Sequence, residues 1–465
     1  MSFVDSTPEV ITIGDKVYLY GTYGTGLRGG YLLNVTAMPT IVNVGSPEDR
    51  FQALNDSSTD PLVVWELRDN DSDLVGKQRV APTYIRVKKA RESDEAIHYL
   101  VYGSGYDAQK SGLLFVDMFN LGEHCSNKLY APCVANEVEF NAEDPWGYNR
   151  KNALGPVNMY TLSDKYAIGQ KYDAMYVGDL FGNIWKMDLD SFTASGNDAL
   201  NFDVTKWGSD SYSKPQIIFK ALDSNGVAQP ITSAIAVDSH PYGGVGLIFG
   251  TGGLWTAADQ GTVSLKYNTA QSLYMLRDRS TDPDVNVSSR VGSTLVHKCY
   301  SSYSSDAKEG CLVQYVFASD DRTSIVVSPS TTPKVGSKIF GWFLDLADAD
   351  GQSFKDGARI YRAPNIVDSF NFSVPVNMPN VSDTCNGGGT SYLVTGDWTL
   401  RSLTKLSSPE VYNGLLSEGR VFMGKDGKRH VAYPLDSADK DAQKEQVDLP
   451  FNSKVVSNSS WIKLY

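Results

Sequence analysis

Positive charge is in deficit in this sequence: 42 Lys and Arg stand against 54 Asp and Glu, for a net charge of -12. Neutralising a phosphate backbone calls for grouped cations, so a nucleic-acid partner is excluded. No stretch approaches about eighteen uninterrupted apolar residues, so no membrane-crossing helix is expected. The opening "MSFVDSTPEV" lacks the basic start and apolar middle of a signal peptide. Histidine is scarce too, and His98, His124, His240, His297 and His430 are scattered without a HExxH motif. Catalysis therefore has little to stand on, and no catalytic residue is assigned.

Cysteine is sparse and none of it shows the CxxC spacing of a zinc site. Cys125 and Cys133 in "CSNKLYAPC", and Cys299 and Cys311 in "CYSSYSSDAKEGC", each bracket a short polar segment. Two local disulfides are the reading preferred over four reduced thiols, and they imply an oxidising compartment. Cys385 is left over, either free and buried or paired outside this chain. The sequence thus has the marks of an exported protein without an export signal, as a piece of a longer precursor would.

What is plentiful is strand-forming sequence. Runs of Tyr, Val, Ile, Phe and Trp alternate over four to eight residues between Gly, Asp, Asn, Ser and Pro, with 41 Gly and 20 Pro in all. One arrangement recurs in "VYLYGTYG", "LVYGSGY", "MYVGDLFG", "LIFGTGG" and "YLVTGDW", with a glycine read as a turn at Gly21, Gly103, Gly178, Gly250 and Gly396. The spacings are 82, 75, 72 and then 146 residues, the last about twice 73. Beside it runs an apolar or aromatic residue three before Asp or Asn: Tyr31 with Asn34, Leu114 with Asp117, Trp185 with Asp188, and Trp342 with Asp345. The Trp342 unit falls where a copy is due in the long interval. Self-similarity on this scale points to an all-β repeat, and a β-propeller is preferred over a sandwich. "PLVVWELRDNDSDLVGKQRVAPTYIRV" and "PQIIFKALDSNGVAQPITSAIAV" read as strand pairs hidden between the strong copies. One short helix is expected in "SSPEVYNGLLSEG", capped by Ser407 or Ser408.

Glycine-rich "GTYGTG" and "NGGGTS" lack the following lysine or helix of a phosphate loop and read as tight turns. Acidic clusters are the better lead, because calcium takes six to eight oxygens. Candidates are Asp69, Asp71 and Asp73 in "DNDSD", Asp278, Asp282 and Asp284 in "DRSTDPDVN", and Asp348 and Asp350 in "DADG". Solvated turns, which favour Asp and Asn, are the competing reading.

At "YVGDLFGNIWKMDL" the sequence resembles the YAGDLxGNxWxFDL signature of the PilC/PilY family of type IV pilus proteins. Further segments resemble the family in order: "GGYLLNVT", "VVWELRD", "PITSAIAV", "LIFGTGGLW", "CNGGGTSYL" and the closing "SSWIKLY". The resemblance runs from about Val4 to the last residue. It implies a modified seven-bladed, quinoprotein-like propeller over residues 1–405, with an incomplete first blade and loop insertions. It implies a segment 406–465 that completes the last blade or faces pilins. It also implies a signal peptide and a long region ahead of this domain in the precursor. The family places a calcium loop of DxDxDxxxD type just before the signature, ending three residues ahead of its tyrosine. Here Asp173 holds that last place, Asp164 is shifted by one, and the earlier ligand places fall on Lys165, Ala167 and Gly169. An ammonium stands where a carboxylate is wanted, which sets this loop apart from the family's metal site.

What the resemblance implies in function is non-enzymatic: a pilus-tip module in a Gram-negative bacterium, on the cell surface or outer membrane, that docks on minor pilins, supports pilus assembly against retraction and adheres to a surface or host receptor. Calcium is the one cofactor it suggests. The alternative is a quinone-dependent dehydrogenase on a related propeller, using pyrroloquinoline quinone and calcium. Against that alternative, the sequence has no adjacent cysteine pair.

Overall fold

The structure is a computed structural model. It describes residues 6–36, 62–89, 93–119, 131–145, 147, 149–161, 172–189, 203–209, 213–223, 226–241, 244–253, 270–278, 312–318, 324–327, 341–346, 357–368, 370–379, 389–399, 406–407, 411–417, 419–423, 429–436, 447–448 and 453–457. Cα clustering divides the chain into a first unit, 1–176 with 186–215, and a second, 177–185 with 216–465.

Strands account for nearly all the regular structure. β1 (Glu9–Ile13), β2 (Lys16–Thr22), β3 (Gly30–Asn34) and β4 (Val63–Leu67) form an antiparallel sheet in that order. β5 (Thr83–Lys88), β6 (Ala96–Gly103), β7 (Gly112–Asp117) and β8 (Cys133–Glu139) repeat the plan. A third sheet takes β9 (Asn158–Tyr160), β10 (Ala174–Gly178), β11 (Asn183–Asp188) and β12 (Gln216–Lys220), and the hairpin of β10 and β11 is divided between the units.

In the second unit an eleven-stranded sheet runs β13 (Ala236–Ser239), β14 (Val245–Gly250), β15 (Ser272–Asp278), β18 (Gly341–Asp345), β16 (Val313–Phe317), β17 (Ser324–Val327), β22 (Leu406–Ser407), β21 (Gly389–Asp397), β20 (Asn371–Pro379) and β19 (Asn365–Ile366), with β23 (Val411–Asn413) also on β21. A last sheet orders β24 (Leu415–Leu416), β26 (Arg429–Asp436), β28 (Ser453–Ser457) and β27 (Val447–Asp448), with β25 (Arg420–Met423) on β26. Leu406–Ser407 and Val411–Asn413 thus pair into the eleven-stranded sheet, while β24 to β28 build a sheet of their own.

The period of about 73 residues is one whole four-strand sheet. Gly21 lies inside β2, while Gly103, Gly178 and Gly250 are the last residues of β6, β10 and β14, so these glycines end second strands and are not the hairpin turns. They are glycines because another segment passes too close for a side chain. A Cβ on Gly103 would sit 2.3 Å from the Gly155 carbonyl oxygen, and one on Gly250 2.1 Å from Ile360 Cγ2. Gly396 lies within β21 and breaks the pattern. The double interval before it holds an insertion: β16 and β17 lie between β15 and β18, β16 runs parallel to β18, and β17 pairs with β22. The third-strand signature in this sheet is accordingly Met275 with Asp278 in β15, while Trp342 sits on the fourth strand, β18. The two "hidden pairs" supply β4 with β5, and β12 with β13, which are the last strand of one sheet and the first of the next. The expected helix is absent: Val411–Asn413 and Leu415–Leu416 are short strands on β21 and β26, broken at Gly414 with φ of 144°. Backbone partners on two sheets override a weak helical pattern there.

Each unit has its own core. In the first, Leu32 and Trp65 pack with Leu100, Leu114, Val116 and Met118 between the first two sheets, and Trp65 Nε1 donates to the Met118 carbonyl at 3.1 Å. In the second, Trp342, Phe372, Val374, Val394 and Trp398 pack in one cluster, and Trp342 Nε1 donates to the Trp398 carbonyl at 3.3 Å. The His240 ring lies edge-on to Trp398, centroids 5.4 Å apart. Burial, assisted by the nearby Arg277 charge, pushes its pKa down from 6.5 to about 4. An unfolded histidine protonates first as pH falls, so this contribution to stability is whole above pH 6.5 and is lost as pH drops from 6.5 towards 4. Denaturant midpoints measured across that window should fall in the natural chain and fall less in His240→Gln.

Candidate functional site

The signature hairpin is built around one carboxylate. Asp179, fully buried, accepts the Asn183 backbone N–H on Oδ1 at 2.8 Å, and on Oδ2 the Asn183 Nδ2 at 2.8 Å and the Trp185 Nε1 at 2.6 Å. Gly182 supplies the turn's left-handed residue at φ of 82°. Its Cβ position is 2.7 Å from the Gln229 carbonyl oxygen, so no side chain fits there. The motif's glycine, aspartate, asparagine and tryptophan therefore serve the geometry of the turn. Asp173, at the entry to β10, is 6% exposed; its N–H donates to the Tyr160 carbonyl and its carbonyl accepts from Leu189 N–H, both at 2.8 Å. Asp164, Lys165, Ala167 and Gly169 lie outside the described residues. In sequence, the family's four ligand places hold one carboxylate, a lysine, an alanine and a glycine, a donor set poor for a hard dication.

"DNDSD" is placed in a cluster of loops in the first unit, where the β2–β3 loop, the β4–β5 connection and the β6–β7 loop meet. Rigid sheets presenting joined loops are the usual platform for recognition. The backbone does the joining: Gly29 N–H donates to the Gly76 carbonyl at 3.3 Å, Lys77 and Tyr106 exchange N–H to O bonds of 2.7 and 2.9 Å, and the Asp73 carbonyl accepts both Gln109 and Lys110 N–H at 3.0 Å. The three carboxylates diverge. Asp69 lies 3.9 Å from Arg28, Asp71 Oδ2 accepts the Arg68 backbone N–H at 2.7 Å, and Asp73 is 4.0 Å from Lys110. Each meets a cation or an amide, and among the described residues no three His, Cys, Asp or Glu side chains are grouped as a metal site.

The groups sequence reasoning missed are the partners from other loops. Asp107, in the left-handed region at φ of 66°, takes Arg28 at 3.1 Å and Lys77 at 3.3 Å. Partial burial opposes its charge, but the hydrogen bonds from Arg28 and Lys77 outweigh this and hold its pKa below the usual value. Beside it, Tyr23 donates to Glu66 Oε1 at 2.6 Å, and that bond, with Arg68, lowers the Glu66 pKa. Burial first, then the same bond, raises that of Tyr23. Leu27 and Tyr106, adjacent in sequence to Arg28 and Asp107, are two of the exposed large apolar side chains among the described residues. Only the "DNDSD" run was visible beforehand; Arg28 lies 41 residues before it, and Asp107 and Lys110 lie 34 and 37 residues after it, so no local pattern marks them.

Cys133 opens β8 and is disulfide-bonded. Cys125, Cys299, Cys311 and Cys385 lie outside the described residues, as do Asp282, Asp284, Asp348 and Asp350.

Comparison with known proteins fits this architecture. The family model described as the PilY1 beta-propeller domain matches residues 150–299, which contain the signature hairpin. The solved C-terminal domain of Pseudomonas aeruginosa PilY1 superposes with a TM-score of 0.59 over 92% of this chain and 82% of that one, at 20% identity, so the fold is of the same kind. The chain is an all-β protein of the β-propeller class. Among curated proteins, the type IV pilus biogenesis factor PilY1 homolog of Xylella fastidiosa is 24% identical over 386 residues, 82% of this chain and 21% of that protein. The type IV pilus biogenesis factor PilY1 of Pseudomonas aeruginosa is 26% identical over 311 residues, 62% of this chain and 23% of that protein. Over these segments the chain is similar to type IV pilus biogenesis proteins of the PilY1 kind. It spans about a fifth of the length of these curated relatives.

Proposed function

We propose that this chain is the propeller part of a type IV pilus biogenesis protein, exported and carried at the pilus tip or cell surface of a Gram-negative bacterium. It supports pilus assembly against retraction by binding minor pilins, and its loops contact a surface or host receptor. The carrying observation is the PilY1 propeller match across the signature hairpin, whose turn is intact down to the buried Asp179. The relatives' greater length supports a longer precursor with a region ahead of this one. The loop cluster of Arg28, Asp69, Lys77, Tyr106 and Asp107 offers a rigid, mixed-charge surface suited to a protein partner. Disulfides joining Cys125 to Cys133 and Cys299 to Cys311 would lower the ordering cost of their loops on binding. No calcium role is assigned, for want of converging donors.

The test is deletion of this region from the full-length gene. Surface pili should be lost in retraction-competent cells and return when retraction is also disabled, and the purified chain should retain minor pilins in a pull-down. Peptide mapping without reductant should recover both disulfides. Normal piliation after the deletion, with no pilin retained, would overturn the reading.

A further inference from the structure

We propose that Arg86 anchors an oxyanion-binding site on the second sheet, independent of the pilus reading. In β5 the side chains of Ile85 and Val87 are buried on one face, which puts Tyr84, Arg86 and Lys88 on the other. Across the ladder Arg86 pairs with His98 of β6. The half-buried guanidinium has its Nε sealed from solvent with no hydrogen-bond partner, and no carboxylate among the described residues forms an ion pair with it.

Among the described residues its ring neighbours carry no counter-charge. Tyr84 OH and His98 Nδ1 are 2.6 Å apart, with the rings stacked at 5.9 Å. Burial, then the Arg86 charge, lowers the His98 pKa, so the ring is neutral near pH 7 and brings no charge to the guanidinium. Tyr172 OH accepts the Arg86 backbone N–H at 3.2 Å, and burial raises its pKa to about 12, so its own proton remains available. Asp117 bears on His98 electrostatically, but its Oδ1 takes the Phe119 backbone N–H at 3.0 Å.

A guanidinium partly withdrawn from water without a counter-charge is costly, and the cost falls when two oxygens of an anion meet its fork. The structure therefore assigns the site to an oxyanion, with the guanidinium N–H groups of Arg86 as donors. A carboxylate and a phosphate share that chemistry. Thermal melting of the full chain in sodium acetate, sodium phosphate and sodium chloride at equal ionic strength tests it. The melting midpoint should rise with acetate or phosphate above the chloride control, and the larger response tells carboxylate from phosphate. The apparent affinity should fall at least tenfold in Arg86→Gln and stay within twofold in Lys88→Gln. An equal response in Arg86→Gln, or none in the natural chain, would overturn the assignment. If Arg86→Gln does not fold, the Arg86 Nε–H resonance of the arginine-labelled natural chain should shift on adding the anion, and an unmoved resonance refutes the site.

Discussion

Alanine at Gly178 is expected to lower the stability of the chain by about 3 kcal/mol, at the upper end of what an added methyl costs in a packed interior. Gly178 is the last residue of β10, and a Cβ there would lie 2.3 Å from Ile231 Cγ2 and 2.8 Å from Ile231 Cβ. Ile231 has no room to retreat, because its N–H donates to the Asp179 carbonyl at 2.9 Å and its side chain is fully buried. The obstacle is nevertheless a side chain. Trimming it in Ile231→Ala, itself costly by about 2–5 kcal/mol, makes space for the new methyl. The double variant should therefore be more stable than the sum of the singles predicts, by about 1–2 kcal/mol. Gly103→Ala is the contrasting case. There the obstacles are the carbonyl oxygens of Gly155 at 2.3 Å and Leu154 at 2.9 Å, and the Gly105 N–H to Leu154 carbonyl bond of 3.0 Å holds that segment in place. No side-chain deletion relieves a backbone clash, so no second-site rescue is expected. Denaturant midpoints of the four variants decide the matter. Strict additivity at Gly178 and Ile231, or a harmless Gly103→Ala, would show that the chain yields more readily than these contacts require.

The strands and their repeat were legible in the sequence because alternation and turn residues report directly on a local backbone. The glycines were located correctly and misread in role. Gly103 and Gly178 end strands beside segments some 50 residues downstream, and a sequence scan sees the missing side chain without seeing what excludes it. The same blindness to distance hid the insertion holding β16 and β17 and let the Trp342 strand stand as the copy due, since a long interval reads alike whether it carries a repeat or an excursion. It also turned two sheet-to-sheet links into apparent hairpins. At the candidate site, Asp69, Asp71 and Asp73 were visible as a run, and their spacing alone is compatible with a metal. What disperses them is a set of separate partners, Arg28, the Arg68 amide and Lys110, two of them in other loops. The family signature was legible for a different reason: the Asp179 turn is held by residues within six positions, so its chemistry is written locally.

That local closure makes Asp179→Ala the most damaging single change expected in the hairpin. The substitution removes the acceptor of three donors at once: the Asn183 backbone N–H, the Asn183 side-chain amide and the Trp185 indole N–H. Asn183 and Trp185 are 1% and 4% exposed, so water cannot replace the lost oxygens without opening the turn. Each stranded buried donor costs about 1–3 kcal/mol, and a total of about 4 kcal/mol is expected once the turn relaxes. Asp179→Asn keeps the shape and one acceptor, but its amide nitrogen then confronts a donor, either Trp185 Nε1–H or an Asn183 N–H, so about half the loss should remain. Trp185→Phe removes one of the three donors, and in that background Asp179→Ala should cost about 1–2 kcal/mol less than in the natural chain. Guanidinium unfolding followed by circular dichroism, which keeps its meaning when a tryptophan is removed, measures all four. If Asp179→Ala unfolds at the natural midpoint, the carboxylate is not what shapes the turn. If its cost is the same with and without Trp185, the 2.6 Å indole bond contributes nothing, and the tryptophan of the signature is there for its packing alone.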